Sequence, residues 1–340
     1  MQEKLSSEEL CRKILEDNGG IIADKARVIL LEDPTLKSLR TPLKFVSKNW
    51  RNSLTPALMR LSCEAAGGLP EKTNDPALAM SLISLSLYVW DDLIDKTVTK
   101  SFKPTLFGKF GEGTALIVGG LASAKAFTIL NQMNAGKEKQ AITNMIWNLL
   151  AKMAIAETPS LKSANKETLC SSNKMWKIKT EATDLETCMK IGAMMGNGSE
   201  TEIQHLGQYG MCLGIILELL KDFHVSVNLT AGLAERIRNG VLPYSLLWAS
   251  ERSEKVRKTL CCLIYQPAIK QTHIREIVED SLETKMLENT LKTIKQFTNK
   301  ARKELIGFDK NKATQTLQQF IEAQPPLFME SVSALRSYYC

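Results

Sequence analysis

Apolar positions recur at three- and four-residue intervals along almost the whole 340-residue chain, and the pattern predicts helix after helix. Leu5 to Asp17 has the spacing of a short amphipathic helix, with Gly19-Gly20 as its stop. Pro56 to Ala66 is a second, closed by Gly67-Gly68. Asn74-Asp75-Pro76 reads as a helix start, a capping side chain followed by Pro in the first turn. From Ala77 to Trp90 no charged residue occurs, and a helix apolar on every side belongs in a core. Helices follow over Thr114 to Leu130, Lys139 to Ala156, Asn173 to Met195 and Ile203 to Leu220. The last is preceded by Ser199-Glu200-Thr201-Glu202, a hydroxyl and a carboxylate at the spacing of a capping box. Pro159 to Ser172 is polar and rich in Ser, Thr and Lys, and reads as a loop, and Arg238 to Pro243 as a turn. Further helices fill Ser245 to Leu335. There is no alternating β-branched run long enough for a sheet, no fixed-period repeat and no long linker. The expectation is a single all-α domain, a helical bundle over residues 1–340 with a deep central cavity.

Composition narrows the function classes. At 44% hydrophobic and 24% charged the chain can bury a large core in water. Its net charge of +7 is spread out, and no compact basic run marks a nucleic-acid footprint. Eight cysteines form no CxxC pair and only three histidines accompany them, which argues against zinc. The N-terminus carries charges throughout and lacks the apolar stretch of a secretory signal. The cysteines then read as reduced thiols packed as small hydrophobes, and the expected location is cytoplasmic. No apolar run reaches the roughly 18 residues of a membrane helix, so a membrane-spanning protein is not expected.

The candidate chemistry lies in "LYVWDDLIDK", residues 87–96. Asp91 and Asp95, four residues apart, share one helix face, while Asp92 projects roughly 100° away. Three carboxylates at the mouth of an apolar helix are costly unless a cation offsets their repulsion. Hard oxygen ligands suit Mg²⁺, which takes one or two protein carboxylates and completes its shell with water and phosphate oxygens. A solvated helix end bearing a charge cluster is the alternative. The fourteen uncharged residues before the cluster favour a cavity with a polar mouth and a greasy floor.

Several stretches resemble the trans-isoprenyl diphosphate synthase (polyprenyl synthetase) family. "DDLIDKTVTKSFKPTL" (91–106) is similar to its first aspartate-rich motif. "KMWKIKTEATDLETCMKIGAMMGNGSETEIQHLGQYGMCLGIILELLKDF" (174–223) tracks it from a Lys-Thr signature to its second aspartate-rich motif. "RNGVLPYSLLWA" and "LTPALMRLSCEAAGG" resemble two further stretches, and the likeness covers about 44–249. It implies a helical bundle with two facing aspartate clusters, two or three Mg²⁺ ions, an allylic prenyl diphosphate substrate and a homodimer. Asp91 and Asp95, with Asp222, would ligate metal and Asp92 would support them. Lys179 and Thr180 would meet the allylic diphosphate, a sensible role for a compact ammonium.

The departures matter as much. The second motif stands here as "KDFHV" (221–225), with Lys221 where a metal-binding aspartate is expected. Glu218, Asp222 and Ser226 share a face at four-residue steps, and Asp222 and Ser226 are similar to two members of the metal triad of class I terpene cyclases. Thr230 fills the third place. The family's cationic site for isopentenyl diphosphate aligns with "RNSLTP" (51–56), its histidine with Ser84 and its arginine pair with Lys100-Ser101, so Arg51 and Lys100 remain as candidates. The chain-length gate falls on Ser86 and Leu87, neither an aromatic, and Tyr88 and Trp90 flank the motif as packing residues. Three readings stay open: a Mg²⁺-dependent prenyltransferase, a terpene cyclase on the same fold, and a catalytically weak regulatory subunit.

Overall fold

The computed structural model describes residues 5–33, 36–100, 103–134, 136–162, 174–227, 231–238, 242–266 and 268–339. Seventeen α-helices account for nearly all of it. Those that build the site are α1 (Ser7–Val28), α3 (Leu54–Ala65), α4 (Asn74–Ile94), α6 (Glu112–Gln132), α7 (Gly136–Lys162), α8 (Lys174–Glu181), α9 (Thr183–Met195), α10 (Glu200–Val227), α11 (Ala231–Arg238) and α12 (Tyr244–Ser250). Between them lie α2 (Arg40–Asn49) and α5 (Leu106–Phe110), and α13 to α17 complete the chain from Glu254 to Tyr339. An antiparallel ladder of two-residue strands, β1 (Thr99–Lys100) and β2 (Lys103–Pro104), follows α4. The all-α expectation holds with this one small addition.

Several boundaries moved, each for a physical reason. The pair Gly19-Gly20 does not stop α1, which runs through it to Val28. A Cβ on Gly19 would lie 2.2 Å from the Ser53 carbonyl oxygen and 2.8 Å from the Ala57 nitrogen. Glycine is there because α1 crosses the start of α3 at backbone contact. Asn74 is the first helical residue of α4 rather than its cap, because a 3₁₀ turn over Pro70–Thr73 leads into the helix. Helix α7 continues past Pro159 to Lys162, although an interior proline gives up one helical hydrogen bond and crowds the carbonyl four residues before it. The rest of the expected loop, 163–172, lies outside the described residues, as do residues 239–241 of the expected turn at Arg238 to Pro243. The Ser199 capping box forms: the Glu202 N–H donates to Ser199 Oγ (3.3 Å), and the Ser199 N–H donates to Glu202 Oε2 (2.7 Å).

The core is layered α4–α3–α9–α10, with α6 on the far side of α4. Helix α3 is buried apart from Leu54, Arg60 and Glu64. It meets α9 at Gly192, where a Cβ would come within 2.2 Å of the Met59 carbonyl oxygen. Two side chains pin the crossing: Ser62 Oγ donates to the Met189 carbonyl (2.6 Å) and Cys188 Sγ to that of Thr55 (3.0 Å). Against the sequence expectation, two helices are long and apolar enough to cross a membrane: residues 70–94 and α6. The first is core, with 61% of its most apolar window buried, whereas α6 buries only 39% and turns Leu116 and Ile117 outward.

Gly19→Ala should lower stability by about 1–3 kcal/mol in chemical denaturation, the cost of overpacking. This reverses the gain of roughly 1 kcal/mol that alanine brings to an unconstrained helix interior. Gly113→Ala in α6, where an added Cβ meets nothing within 4 Å, should be neutral or stabilising by about 0.5–1 kcal/mol. Equal effects at the two sites would contradict the backbone contact at Gly19.

Candidate active site

The C-terminus of α4 sets the geometry. Lys96 takes the left-handed conformation (φ 54°). The Thr97 N–H donates to the Asp92 carbonyl (2.8 Å) and the Lys96 N–H to that of Leu93 (3.3 Å). This Schellman closure turns the chain sharply back. The β1–β2 ladder then returns Lys100 over the aspartates, fastened by Thr105, whose hydroxyl donates to the Thr97 carbonyl (2.7 Å). Lys100 Nζ lies 3.2 Å from Asp91 Oδ2, contacts Asp92 Oδ1, and sits 4.7 Å from the centre of the Tyr88 ring. Burial by itself would lower the Lys100 pKa, but Asp91 and Asp92 outweigh it and hold the ammonium above its ordinary value.

Asp92 is 1% exposed. Burial, opposed by Lys100, pushes its pKa up to about 6. Its Oδ1 meets Lys100 as an ion pair without good hydrogen-bond alignment, and Oδ2 finds no hydrogen-bond partner among the described residues. Asp91 and Asp95, half-buried, flank it one turn apart. Among the described residues no three acidic, His or Cys side chains are close enough to hold a metal unaided. That is the donor set Mg²⁺ uses when water and a phosphate complete its shell, and an under-partnered carboxylate beside the pair fits a divalent cation on the α4 wall.

The α10 wall is different. Lys221 is half-exposed and its Nζ lies 3.2 Å from Glu218 Oε2. Its pKa is raised, first by Glu218 and also by Asp91 and Glu181, so the ammonium lies within electrostatic reach of both acids. Asp222 does not join them. Its Oδ2 accepts the Tyr244 N–H at the first residue of α12 (2.8 Å), and its Oδ1 pairs with Arg236 of α11 (3.5 Å). Ser226 is fully buried, donates to the Asp222 carbonyl (2.7 Å) and lies 2.5 Å from Ser245 Oγ. In this arrangement the two tie α10 to α11 and α12. One helical step decides the difference between facing the cleft, as Lys221 does, and facing the core.

Ser86 also bridges two helices. Fully buried, it donates to the Leu82 (3.0 Å) and Gly119 (2.8 Å) carbonyls and accepts from Ser123 Oγ (2.9 Å), so it fastens α4 to α6. Leu87 is only partly buried. Lys179 is exposed on α8, and the Thr180 carbonyl accepts a hydrogen bond from Thr183 Oγ1 (2.5 Å) at the α8–α9 break.

Residues 36–280 match the polyprenyl synthetase family. The chain belongs to that family. Relatives include the short chain isoprenyl diphosphate synthase of Methanothermobacter thermautotrophicus, 27% identical over 62% of this chain and 67% of the relative. Geranylgeranyl pyrophosphate synthase 12 of Arabidopsis thaliana is 28% identical, over 60% and 61% of the two chains. The match thus spans about two thirds or less of these curated relatives. Among solved structures, the polyprenyl synthase of Caulobacter crescentus superposes with a TM-score of 0.80 at 17% identity, covering 96% of this chain and 99% of that one. The geranylgeranyl pyrophosphate synthetase of Pyrococcus horikoshii gives 0.79 at 21%, covering 94% and 98%. At these identities the likeness establishes the isoprenoid synthase fold.

Within this polyprenyl synthetase, sequence reasoning missed two acids. Asp184 opens α9, and Glu181 closes α8. Burial pushes the Asp184 pKa up to about 6, with the Leu185 N–H (2.5 Å) and Lys221 opposing and Glu181 reinforcing it. The signal was there as two acids three residues apart beside the Lys-Thr signature. Without the α8–α9 break, nothing showed that both would face Lys221.

Asp184 and Asp92 hold a proton near pH 6 in the native state, against an ordinary aspartate value of 3.8. Between these values the native state binds more protons than the unfolded chain, so stability falls as pH rises through that window. Asp184→Asn should therefore melt higher than wild type at pH 7 in metal-free buffer, with the gap closing as pH falls from about 6 toward 4. His224, whose pKa burial lowers, opposes the trend in both proteins and cancels in the difference. A gap that does not change with pH would refute this account.

Proposed function

We propose that the protein is a Mg²⁺-dependent prenyltransferase that ionises an allylic prenyl diphosphate and passes the prenyl group to an acceptor. The observation that carries this reading is the acid cluster of α4, held at the end of a buried apolar helix with Lys100 against Asp91 and Asp92. Asp91 and Asp95 hold the metal from the α4 wall, and Asp92 supports them with charge from below. Mg²⁺, when bound, neutralises the charge that develops on the leaving diphosphate. Lys221 and Lys179 bind the diphosphate as ammonium groups, and Lys100, already beside Asp91, turns from the carboxylates toward it. Leu87 and the apolar body of α4 face the prenyl tail, and a site with few waters strengthens every one of these charge contacts. The isoprenyl diphosphate synthase among the relatives and the calcium–isoprenyl diphosphate complex of the Caulobacter polyprenyl synthase support the substrate class.

A homodimer follows from the same reading. Helices α6 and α7 expose Leu116, Ile117, Trp147 and Ile155, and Trp147 stacks on Phe127 at 4.4 Å. Exposed apolar side chains on two helices fit a second copy of the chain. The six described cysteines are unpaired, which supports a reducing, cytoplasmic location. Cyclisation on the same fold is a second reading, favoured by the pairing of Arg51 with Glu16 and Asp24 and of Asn52 with Ser84, while Asp222 and Ser226, the two residues similar to the cyclase triad, are bonded to α11 and α12.

The test is release of inorganic diphosphate from geranyl, farnesyl and geranylgeranyl diphosphate, each with Mg²⁺. Wild type should release it, and chelation of Mg²⁺ should abolish turnover. Asp91→Ala should lower kcat/KM by about 10²–10³, the scale of losing one preorganised electrostatic group. Release that survives both changes would sink the proposal.

A further inference from the structure

Helix α15 (Met286–Glu304) packs against α10, at the opposite end of the layered core from α6. A second copy seated on α6 and α7 therefore leaves it uncovered. Its inward face follows the helical period, with Met286, Thr290, Ile294 and Ala301 buried. Its outward face is sorted by charge. Counted from the capping residue Lys285, the exposed positions are six cations, two amides and one acid, Glu288. The cations are Lys285, Lys292, Lys295, Lys300, Arg302 and Lys303. The five within the helix fall on about half of its circumference, and the row from Lys285 to Lys303 is about 27 Å long at 1.5 Å per residue.

These charges are not consumed within the fold. None of the five lysines forms an ion pair with a described acid, and only Arg302 is engaged, by Glu322 of α16 (Lys312–Glu322) at 2.9 Å. Nearby acids are placed elsewhere. Glu276, Glu279 and Glu283 are exposed on the preceding helix, α14 (Gln271–Glu283), and Glu304 is held by His205 at 2.7 Å. In a chain of 44 basic and 37 acidic residues, six cations against one acid on a single face is segregation rather than general excess.

An apolar side chain marks each end of the row. Ile306, in the turn after α15, is 75% exposed, and Leu282, just before the capping lysine, is 37% exposed. The Ile306 N–H donates to the Lys303 carbonyl (3.1 Å), which keeps Ile306 beside the last lysine. A lone exposed isoleucine needs no explanation. One joined to a row of ammonium groups has the makeup of a surface that meets anionic headgroups and hydrocarbon together. Lysine also predominates over arginine here. Its ammonium is a point charge that follows an anionic surface without fixed geometry, whereas the arginine fork selects particular carboxylates and phosphates. A straight, convex row lies along a flat surface rather than around a ligand. A nucleic-acid duplex would satisfy the ammonium groups but offers Ile306 no apolar phase, and a bilayer offers both.

We infer that the outward face of α15, with Ile306 at its tip, docks the protein on an anionic lipid bilayer. The headgroups meet the cations, and Ile306 enters the boundary between headgroups and acyl chains. Docking of this kind needs no assumption about the reaction at the α4 acids.

The experiment is co-sedimentation of the untagged full chain with vesicles of phosphatidylcholine and phosphatidylserine in a two-to-one ratio, beside vesicles of phosphatidylcholine alone. Wild type should sediment with the mixed vesicles only. Raising the salt from about 0.1 M to about 1 M shortens the screening length from about 10 Å to about 3 Å and should release it. Each cation near an anionic surface is worth about fivefold in binding, so Lys292→Gln/Lys303→Gln should weaken the partition about 25-fold. Glu288→Gln, which removes the one acid of the face, should strengthen it about fivefold. Ile306→Gln should weaken it about tenfold, the loss of one buried apolar side chain. These exposed substitutions should leave the melting temperature unchanged, and the gain in Glu288→Gln keeps the test decisive if the double variant does not fold. No sedimentation with mixed vesicles at low salt, equal sedimentation with both vesicles, or charge variants that fail to move in opposite directions would each overturn the inference. Tighter binding to a DNA duplex or to polyglutamate than to the mixed vesicles, indifferent to Ile306→Gln, would overturn it too and assign the face to a soluble polyanion.

Discussion

Everything at the mouth of this bundle depends on how the charge at the end of α4 is offset. A helix presents its negative pole at its C-terminus, and here that pole carries Asp91, Asp92 and Asp95 on a largely uncharged helix. Dipole, mutual repulsion and burial all act against ionised carboxylates there. The offset in the structure is one ammonium, Lys100, delivered by a closure at Lys96 and a four-residue ladder that has no other evident purpose in an otherwise helical chain. Three acids on one turn concentrate negative charge at this end of the helix. A divalent cation and the ammonium groups on the facing wall are the natural complement.

The two walls of the cleft therefore divide the work unequally. On α4, Lys100 pairs with Asp91 and with the buried Asp92. On α10 the acid that sequence alignment would assign to metal is turned inward to cap α12 and to hold Arg236, while Lys221 takes the cleft position. Asp184 and Glu181 add acids close to Lys221. A substrate diphosphate entering between these walls meets metal from one side and ammonium from the other. The same economy runs through the α3 entrance, where Arg51 and Asn52 are satisfied by α1, Ser84 and their own backbone.

How much of this could be read from the sequence depended on the range of the interaction. Local patterns were legible: the all-α class, the uncharged run of α4, the capping box at Ser199, and the carboxylate spacing of Asp91 and Asp95 follow from periodicity and from contacts within one or two turns. Gly19 was misread because a glycine inside a helix and a glycine ending one look alike until the partner backbone is known. The bridges that Ser86, Asp222 and Ser226 make between helices were hidden from the sequence, because side-chain direction on a helix buried on nearly all sides is fixed by which neighbour lies where, and no periodicity encodes that.

By itself, then, the sequence determined the kind of polymer this is and the kind of charge it must manage: helices long and apolar enough to bury, with carboxylates at a spacing that asks for a hard cation. Those are properties of near neighbours along the chain, governed by 3.6-residue geometry and by the cost of placing charge beside apolar surface. The tertiary structure alone decided which polar groups remain available. Glu16 and Asp24 reach Arg51 across more than twenty-five residues of chain, Tyr244 reaches Asp222 across twenty-two, and Lys221 faces Asp91 from a different helix. A charge is defined chemically by its partners, and these partners meet only when the helices pack.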